Sequence, residues 1–214
     1  MNMKTQKIKI GIVGGAGYTG GELIRILLHH PNAEITFIQS RSKAGDFISS
    51  VHNDLFGDTE LKFDAEISQN IDVVFLCLGH GDSKEMVGAF DASIKIIDLS
   101  QDFRLKGSAD FVYGLPELNS SQIKNANFIA NPGCFATAIQ LAILPLAKEK
   151  IMQSDIHVAC TTGSTGAGQS LHENSHFSWR QNNLSTYKSF THQHLAEINQ
   201  SILQLQPKFA HKVI

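Results

Sequence analysis

The sequence predicts an α/β protein built on a parallel sheet, with a second α/β (α+β) domain after it. Three observations predict this. Apolar runs at 8–13, 71–78 and 94–100 lack the alternation of a half-exposed strand, as expected for a sheet covered on both faces. Helical patterns such as Leu23, Ile24, Leu27 and Leu28 lie between such runs. Polar or glycine-rich loops follow the runs at their carboxyl ends, where ligands sit in open α/β sheets.

Composition narrows the class. At 214 residues the chain is long enough for one full domain and part of another. It is 42% hydrophobic and 18% charged, and 18 Lys and Arg stand against 20 Asp and Glu. That balance gives no support for a nucleic-acid or membrane-surface partner. Cys77, Cys134 and Cys160 are far apart, which points to a reducing, cytoplasmic setting and not to a disulfide framework. Residues 1–9 carry lysines but no apolar core of a signal peptide, and no run of about 18 apolar residues reads as a membrane span. Residues 211–214 read as the beginning of another strand, so the second domain is expected to be incomplete.

In chain order, the strand at 8–13 runs into Gly14-Gly15-Ala16-Gly17-Tyr18-Thr19-Gly20, then a helix that Pro31-Asn32 stops, then a strand at 33–39. This is the opening of a Rossmann-type unit. Glycines at 15, 17 and 20 satisfy the dinucleotide fingerprint, letting the chain turn tightly and bring N–H groups to a pyrophosphate. The second strand ends in Ser40-Arg41-Ser42-Lys43 where an NAD enzyme usually has an acidic residue. Arg41 and Lys43 suit a ribose 2′-phosphate, with the serines as donors, so the expected cofactor is NADP. Residues 44–66 read as a loop with a short strand near 61–63. Leu78-Gly79-His80 and, one strand later, Ser100 and Arg104 lie at the carboxyl edge, with Ser83 or Asp82 as a helix cap. The segment 113–119 reads as a structured turn, with Glu117 on it.

Cys134 sits in Asn131-Pro132-Gly133-Cys134, after a short strand at 128–130 and at the start of a helix that Pro145 ends or kinks. A helix N-terminus favours thiolate and offers N–H groups to an oxyanion, the setting of a nucleophilic cysteine. A half-buried strand is expected at 156–162. It leads into Gly163-Ser164-Thr165-Gly166-Ala167-Gly168, either a flexible connection or an anion-binding turn. An irregular polar and aromatic excursion follows, then His192 and His194 before a helix that Pro207 ends. The histidines suit a thiol–imidazole pair. No zinc motif accompanies them, so no metal is expected.

Taken together, these motifs resemble the N-acetyl-gamma-glutamyl-phosphate reductase family, relatives of aspartate-semialdehyde dehydrogenase. The matching stretches are 14–23, 75–81, 98–105, 113–118, 131–134, 163–168 and 191–194, in the family's order and across nearly the whole chain. The resemblance implies a dinucleotide-binding domain at 1–133 and the first part of a catalytic, substrate-binding domain at 134–214. It implies NADPH-dependent reductive dephosphorylation of an N-acylglutamyl phosphate through a thioester on Cys134, in arginine biosynthesis. His192 or His194 matches the acid/base, and Glu197 an acidic residue that orients the pair. Cofactor binding is implied for Gly14 to Gly20, Ser40 to Lys43, Leu78, Gly79, His80 and Ser100. Substrate binding is implied for Arg104, Asn131, Gly163, Ser164, Gly166, Ala167 and Gly168. The resemblance also implies a cytoplasmic homo-oligomer, a dimer or tetramer. The acyl group, acetyl or succinyl, stays open. So do three rivals: an aspartyl-phosphate relative, a catalytically silent nucleotide-binding module, and a thioester hydrolase.

Overall fold

The computed structural model describes residues 6–108 and 110–214. The reading of residues 1–9 thus falls partly outside the described residues. Six strands form one sheet: β1 (Ile8–Val13), β2 (Ala33–Gln39), β3 (Val73–Leu76), β4 (Lys95–Asp98), β5 (Val112–Tyr113) and β6 (Phe128–Ala130). All neighbours are parallel, in the order β2-β1-β3-β4-β6-β5. Parallel pairing needs crossovers. They are supplied by α1 (Tyr18–Leu28), α2 (Asp82–Val87) and α3 (Pro116–Asn125). The chain turns to one side of β1 for β2 and to the other for β3, so a topological switch point opens at the carboxyl ends of β1 and β3.

Both faces of the sheet are packed. Ile10, Ile12, Ile24, Ile38 and Phe63 share one cluster, while Val13, Phe37, Val74, Leu76 and Ile96 share another. A third cluster joins α4 (Cys134–Lys148) to α6 (His194–Leu205), with Ile139, Ile143, Ile198 and Ile202 at its centre. Between them in the chain lie two 3₁₀ turns, Ser164–Ala167 and Glu173–Ser175, and a short helix, α5 (Phe177–Arg180). Fully burying Ile198 and Ile202 stabilises this docking by about 2 kcal/mol per side chain.

The structure differs from the sequence reading in several places. Residues 44–66 hold two 3₁₀ turns, Ile48–Ser50 and Asn53–Leu55, and the expected strand near 61–63 is reduced to isolated bridges at Lys62 and Asp64. Segment 113–119 is not one turn: Tyr113 ends β5 and Pro116 opens α3, its fixed φ and missing N–H suiting the first helical turn. Glu117 is exposed. Neither Asp82 nor Ser83 caps α2; its N-cap is Gly81. Pro145 does not end α4, which runs on to Lys148. The carbonyl that Pro145 leaves without a donor belongs to Leu141, which is exposed and can meet water. The strand expected at 156–162 is a single parallel bridge of Ile156 to Val213, with Val158 N–H donating to Ile214 O at 2.8 Å. Residues 159–163 are exposed. Among the described residues, no helix is long and apolar enough to cross a membrane.

Candidate active site

Cys134 is the first residue of α4, and its side chain is exposed beyond the carboxyl end of β6. Gly133 is the N-cap in an extended conformation, so the N–H groups of the first helical turn have no acceptor within the helix. Two side chains from α6 close on this start. Glu197 Oε2 accepts the Gly133 N–H at 3.0 Å. The His194 ring lies so close that a Cβ on Gly133 would come within 2.2 Å of its Nε2, and only glycine fits there.

Glu197 is buried and held on several sides. Tyr113 Oη donates to its Oε2 at 2.9 Å, and Arg104 Nη1 donates to its Oε1 at 3.2 Å. Gln140, on the buried face of α4, donates to Tyr113 Oη at 2.7 Å. These donors offset the cost of burying the carboxylate. His194 Nε2 is 3.9 Å from Glu197 Oε1. His192 Nδ1 accepts the His194 backbone N–H at 3.2 Å, which places the proton of neutral His192 on Nε2. The two imidazoles meet edge to face at 4.4 Å, and Phe135 meets His192 at 5.4 Å. Burial pushes His194 down to about 4. Glu197 opposes that fall, while His192, Arg104 and His80 add to it. His192 is lowered by burial and by Lys188, with Glu197 opposing.

The second part of the site is the switch point. Gly14 has φ +81°, and a Cβ there would meet the Cys77 carbonyl oxygen at 2.4 Å. The N–H groups of Gly14 and Gly15 donate to Gln39 O, and Gly17 donates to Gly14 O. Those of Ala16, Tyr18, Thr19 and Gly20 have no backbone acceptor among the described residues, and the last three open α1. This is the arrangement that receives a pyrophosphate. Below the turn, the buried His52 ring contacts Gly15 O through Nε2 at 2.9 Å. At the end of β2, a crevice of about 320 Å³ is lined by Gln39, Arg41, Ala65, Glu66, Ile67, Met86 and Ala89.

Two families match the chain along its length. Residues 9–126 match the family described as semialdehyde dehydrogenase, NAD binding domain, and residues 134–213 the family described as semialdehyde dehydrogenase, dimerisation domain. The chain belongs to the semialdehyde dehydrogenase family. Its relatives include the N-acetyl-gamma-glutamyl-phosphate reductases of Flavobacterium johnsoniae, 58% identical over 94% of this chain and 64% of that protein, and of Christiangramia forsetii, 59% identical over 93% and 63%. That of Parabacteroides distasonis is 57% identical over 96% and 65%. The chain therefore spans just under two thirds of the length of these relatives. Among solved structures, Vibrio cholerae aspartate semialdehyde dehydrogenase II superposes with a TM-score of 0.72 at 15% identity, over 98% of this chain and 69% of that one. The Candida albicans aspartate semialdehyde dehydrogenase with NADP gives 0.54 at 17% identity, over 71% and 50%. These likenesses show the fold.

Within this semialdehyde dehydrogenase frame, His194 and Glu197 lie against Gly133, the residue before Cys134, and His192 packs on His194. Two residues turn inward instead. Arg104 is 7% exposed, and its guanidinium donates to Glu197 and, at 2.8 Å, to Leu99 O, so it is not placed to meet a substrate. Ser100 is fully buried: its hydroxyl donates to Asp98 Oδ2 at 2.7 Å and accepts the Asp102 N–H, so it is not a donor to a cofactor. Glu197 orients the histidines less directly than expected, because its oxygens are held by Gly133, Tyr113 and Arg104. Asn131 is exposed and its Nδ2 bonds Pro132 O.

Of residues 40–43, Arg41 alone lines the β2 crevice; Ser40 is buried, and Ser42 and Lys43 are exposed. Leu78 lies beside Gly14 of the glycine turn, Gly79 faces the Asp82 carboxylate, and His80 Nδ1 accepts the Gln101 N–H at 3.1 Å. The segment Gly163 to Gly168 is an exposed 3₁₀ turn tied to the glycine turn by Gln169, whose Nε2 donates to Ala16 O at 3.1 Å. Ser164 and Gly168 share an open groove of about 780 Å³ with Tyr18. Tyr113, Gln140 and His52 escape the sequence reading. For Gln140 a signal exists: it is a polar residue in the stripe Ala136, Ile139, Ile143, Leu144, Ala147 that α4 buries.

Proposed function

We propose that the chain carries the dinucleotide-binding unit, near 1–133, and the nucleophile of an N-acetyl-gamma-glutamyl-phosphate reductase. One observation carries the reading: an exposed cysteine at a helix start, with a buried carboxylate on the preceding N–H and an imidazole against the preceding Cα, on the same sheet edge as a glycine turn with unused N–H donors. The names of relatives at 57–59% identity agree with it.

In this reading the Cys134 sulfur attacks the acyl-phosphate carbonyl and phosphate leaves, giving a thioester. The N–H groups at the start of α4 stabilise the oxyanion. Ala16 to Gly20 would hold the pyrophosphate of NADPH and Arg41 its 2′-phosphate; bound there, the cofactor would supply the hydride, and the Cys134 thiolate would leave as the semialdehyde forms. His194 is the acid/base, since its ring touches Gly133 and is neutral at pH 7, able to take the thiol proton and return it. His192 holds the loop that carries it. The turn Gly163 to Gly168 offers backbone N–H groups to an anion beside the cofactor turn. The protein works as a homo-oligomer in the reducing cytoplasm, which suits a reactive thiol.

The test is the reverse reaction: phosphate- or arsenate-dependent reduction of NADP by N-acetylglutamate semialdehyde, with the N-succinyl and aspartate semialdehydes in parallel. Turnover of an N-acylglutamate semialdehyde is expected, abolished in Cys134→Ser with NADP binding kept. Turnover of aspartate semialdehyde alone, or a Cys134→Ser enzyme that still works, would overturn the reading.

A further inference from the structure

The proposed substrate is an acyl phosphate with a carboxylate tail, so the site needs a cation that is not already neutralised. Arg104 is paired with Glu197. Arg180 keeps its charge, but all three of its nitrogens donate within its own loop, to the Asn174 carbonyl and the Ser185 hydroxyl, whereas Lys188 uses one donor. His194 is neutral at pH 7. Near the histidine pair, Lys188 carries an ammonium that has no carboxylate partner among the described residues.

Lys188 belongs to the segment that leads into the histidine pair. Its Nζ donates to Gln193 Oε1, between the two histidines, at 2.8 Å. Lys188 and Phe190 both have positive φ, +47° and +62°, a conformation that side-chain-bearing residues rarely adopt. The turn is closed by the Thr191 N–H donating to Lys188 O at 3.1 Å. Tyr187, its neighbour, packs 5.7 Å from His192 and 6.4 Å from Phe135, the residue after Cys134. Burial and then the positive charge of Lys188 lower His192, and burial followed by the nearby thiols Cys134 and Cys160 raises the Tyr187 phenol. The side chain of Lys188 is exposed, open to a ligand on the side away from Gln193.

We propose that Lys188 is the anion-binding residue of this site: its ammonium, held by the Gln193 amide beside His192, takes an oxyanion of the substrate as the acyl carbon meets Cys134. A neutral amide leaves the lysine's charge unneutralised, where a carboxylate would cancel it. The inference rests on the reductase reading for the substrate, and on the geometry alone for the anion site.

The test joins two measurements on Lys188→Met and Lys188→Arg. The first is alkylation of Cys134, followed by peptide mass mapping, with anionic iodoacetate against neutral iodoacetamide. In Lys188→Met the iodoacetate-to-iodoacetamide rate ratio is expected to fall about threefold or more, with the iodoacetamide rate as the control for an intact fold; Lys188→Arg keeps the ratio. The second is the reverse reaction, where phosphate and semialdehyde are separate substrates. A rise of about tenfold in KM for phosphate, with kcat within about threefold, assigns Lys188 to the leaving phosphoryl group. The same rise for the semialdehyde assigns it to the carboxylate tail. An unchanged alkylation ratio in Lys188→Met, or an equal loss in Lys188→Arg, overturns the proposal. A full-length wild-type protein without turnover but with the expected ratio change sinks the reductase reading and leaves the anion site standing.

Discussion

His194 shows what burial does to a single residue here. Its imidazole is 7% exposed, has no hydrogen-bond partner for Nδ1, and is pushed down to about 4 by burial. In the unfolded chain a histidine titrates near 6.5. Between those values the unfolded state binds more protons than the folded one, so stability is present above about pH 6.5 and is lost as pH falls toward 4. The expected loss from this residue is on the order of 2 kcal/mol between pH 7 and pH 4.5. Urea unfolding at the two pH values should show it, and His194→Gln should flatten that part of the pH dependence. An unchanged slope in the variant would mean that the imidazole titrates as in water. Cys77 is another residue changed by its surroundings: burial, with the charge of Asp98 adding, pushes its thiol up to about 12. It is therefore inert at neutral pH, whereas Cys134 is exposed.

At the scale of elements, α4 and α6 form the working pair, and a buried polar network joins them to the sheet. Tyr113 comes from β5, Arg104 from the loop after β4, Gln140 from α4 and Glu197 from α6. Breaking such a network from its centre differs from trimming its edge. Glu197→Gln leaves the buried Arg104 without its counter-ion and should cost about 3–5 kcal/mol. Tyr113→Phe removes one hydroxyl and should cost about 1–2 kcal/mol. The double variant should cost less than the sum, because both lose the same contact. Guanidinium unfolding of the four proteins measures this; additive losses would show that the two residues act independently. The histidines and the cysteine are legible in the sequence because they stand in short motifs. The carboxylate's partners are not: Arg104 is 93 residues from Glu197 in the chain and Tyr113 is 84.

Across the whole molecule, α6 holds the second half of the chain against the first. Gln200 donates to Arg104 O at 3.0 Å and accepts the Lys106 N–H at 2.6 Å, and Gln204 donates to Asn119 at 2.9 Å. The cysteine and the glycine turn thereby lie along one edge of one sheet, with the β2 crevice farther along it. The crevice sets a test for cofactor choice. Arg41→Ala should weaken NADPH about tenfold or more and leave NADH nearly unchanged, read by fluorescence titration of each dinucleotide. Equal loss for both would place the 2′-phosphate elsewhere, and Glu66 on the same crevice gives that outcome a physical route.

The parallel sheet, the glycine turn and the cysteine at a helix start were determined by the sequence alone. Each is local: a strand's apolar run, a helix's 3.6-residue spacing and a turn's glycines all act over a few neighbours. The tertiary structure decided the rest. It turned Arg104 and Ser100 inward and set Glu197 on the Gly133 N–H. It also brought Ile156 beside Val213, far away in the chain. A buried charge must take whichever partner the packing brings, and a strand forms only where a neighbour lies along its length. Neither condition is written in adjacent residues.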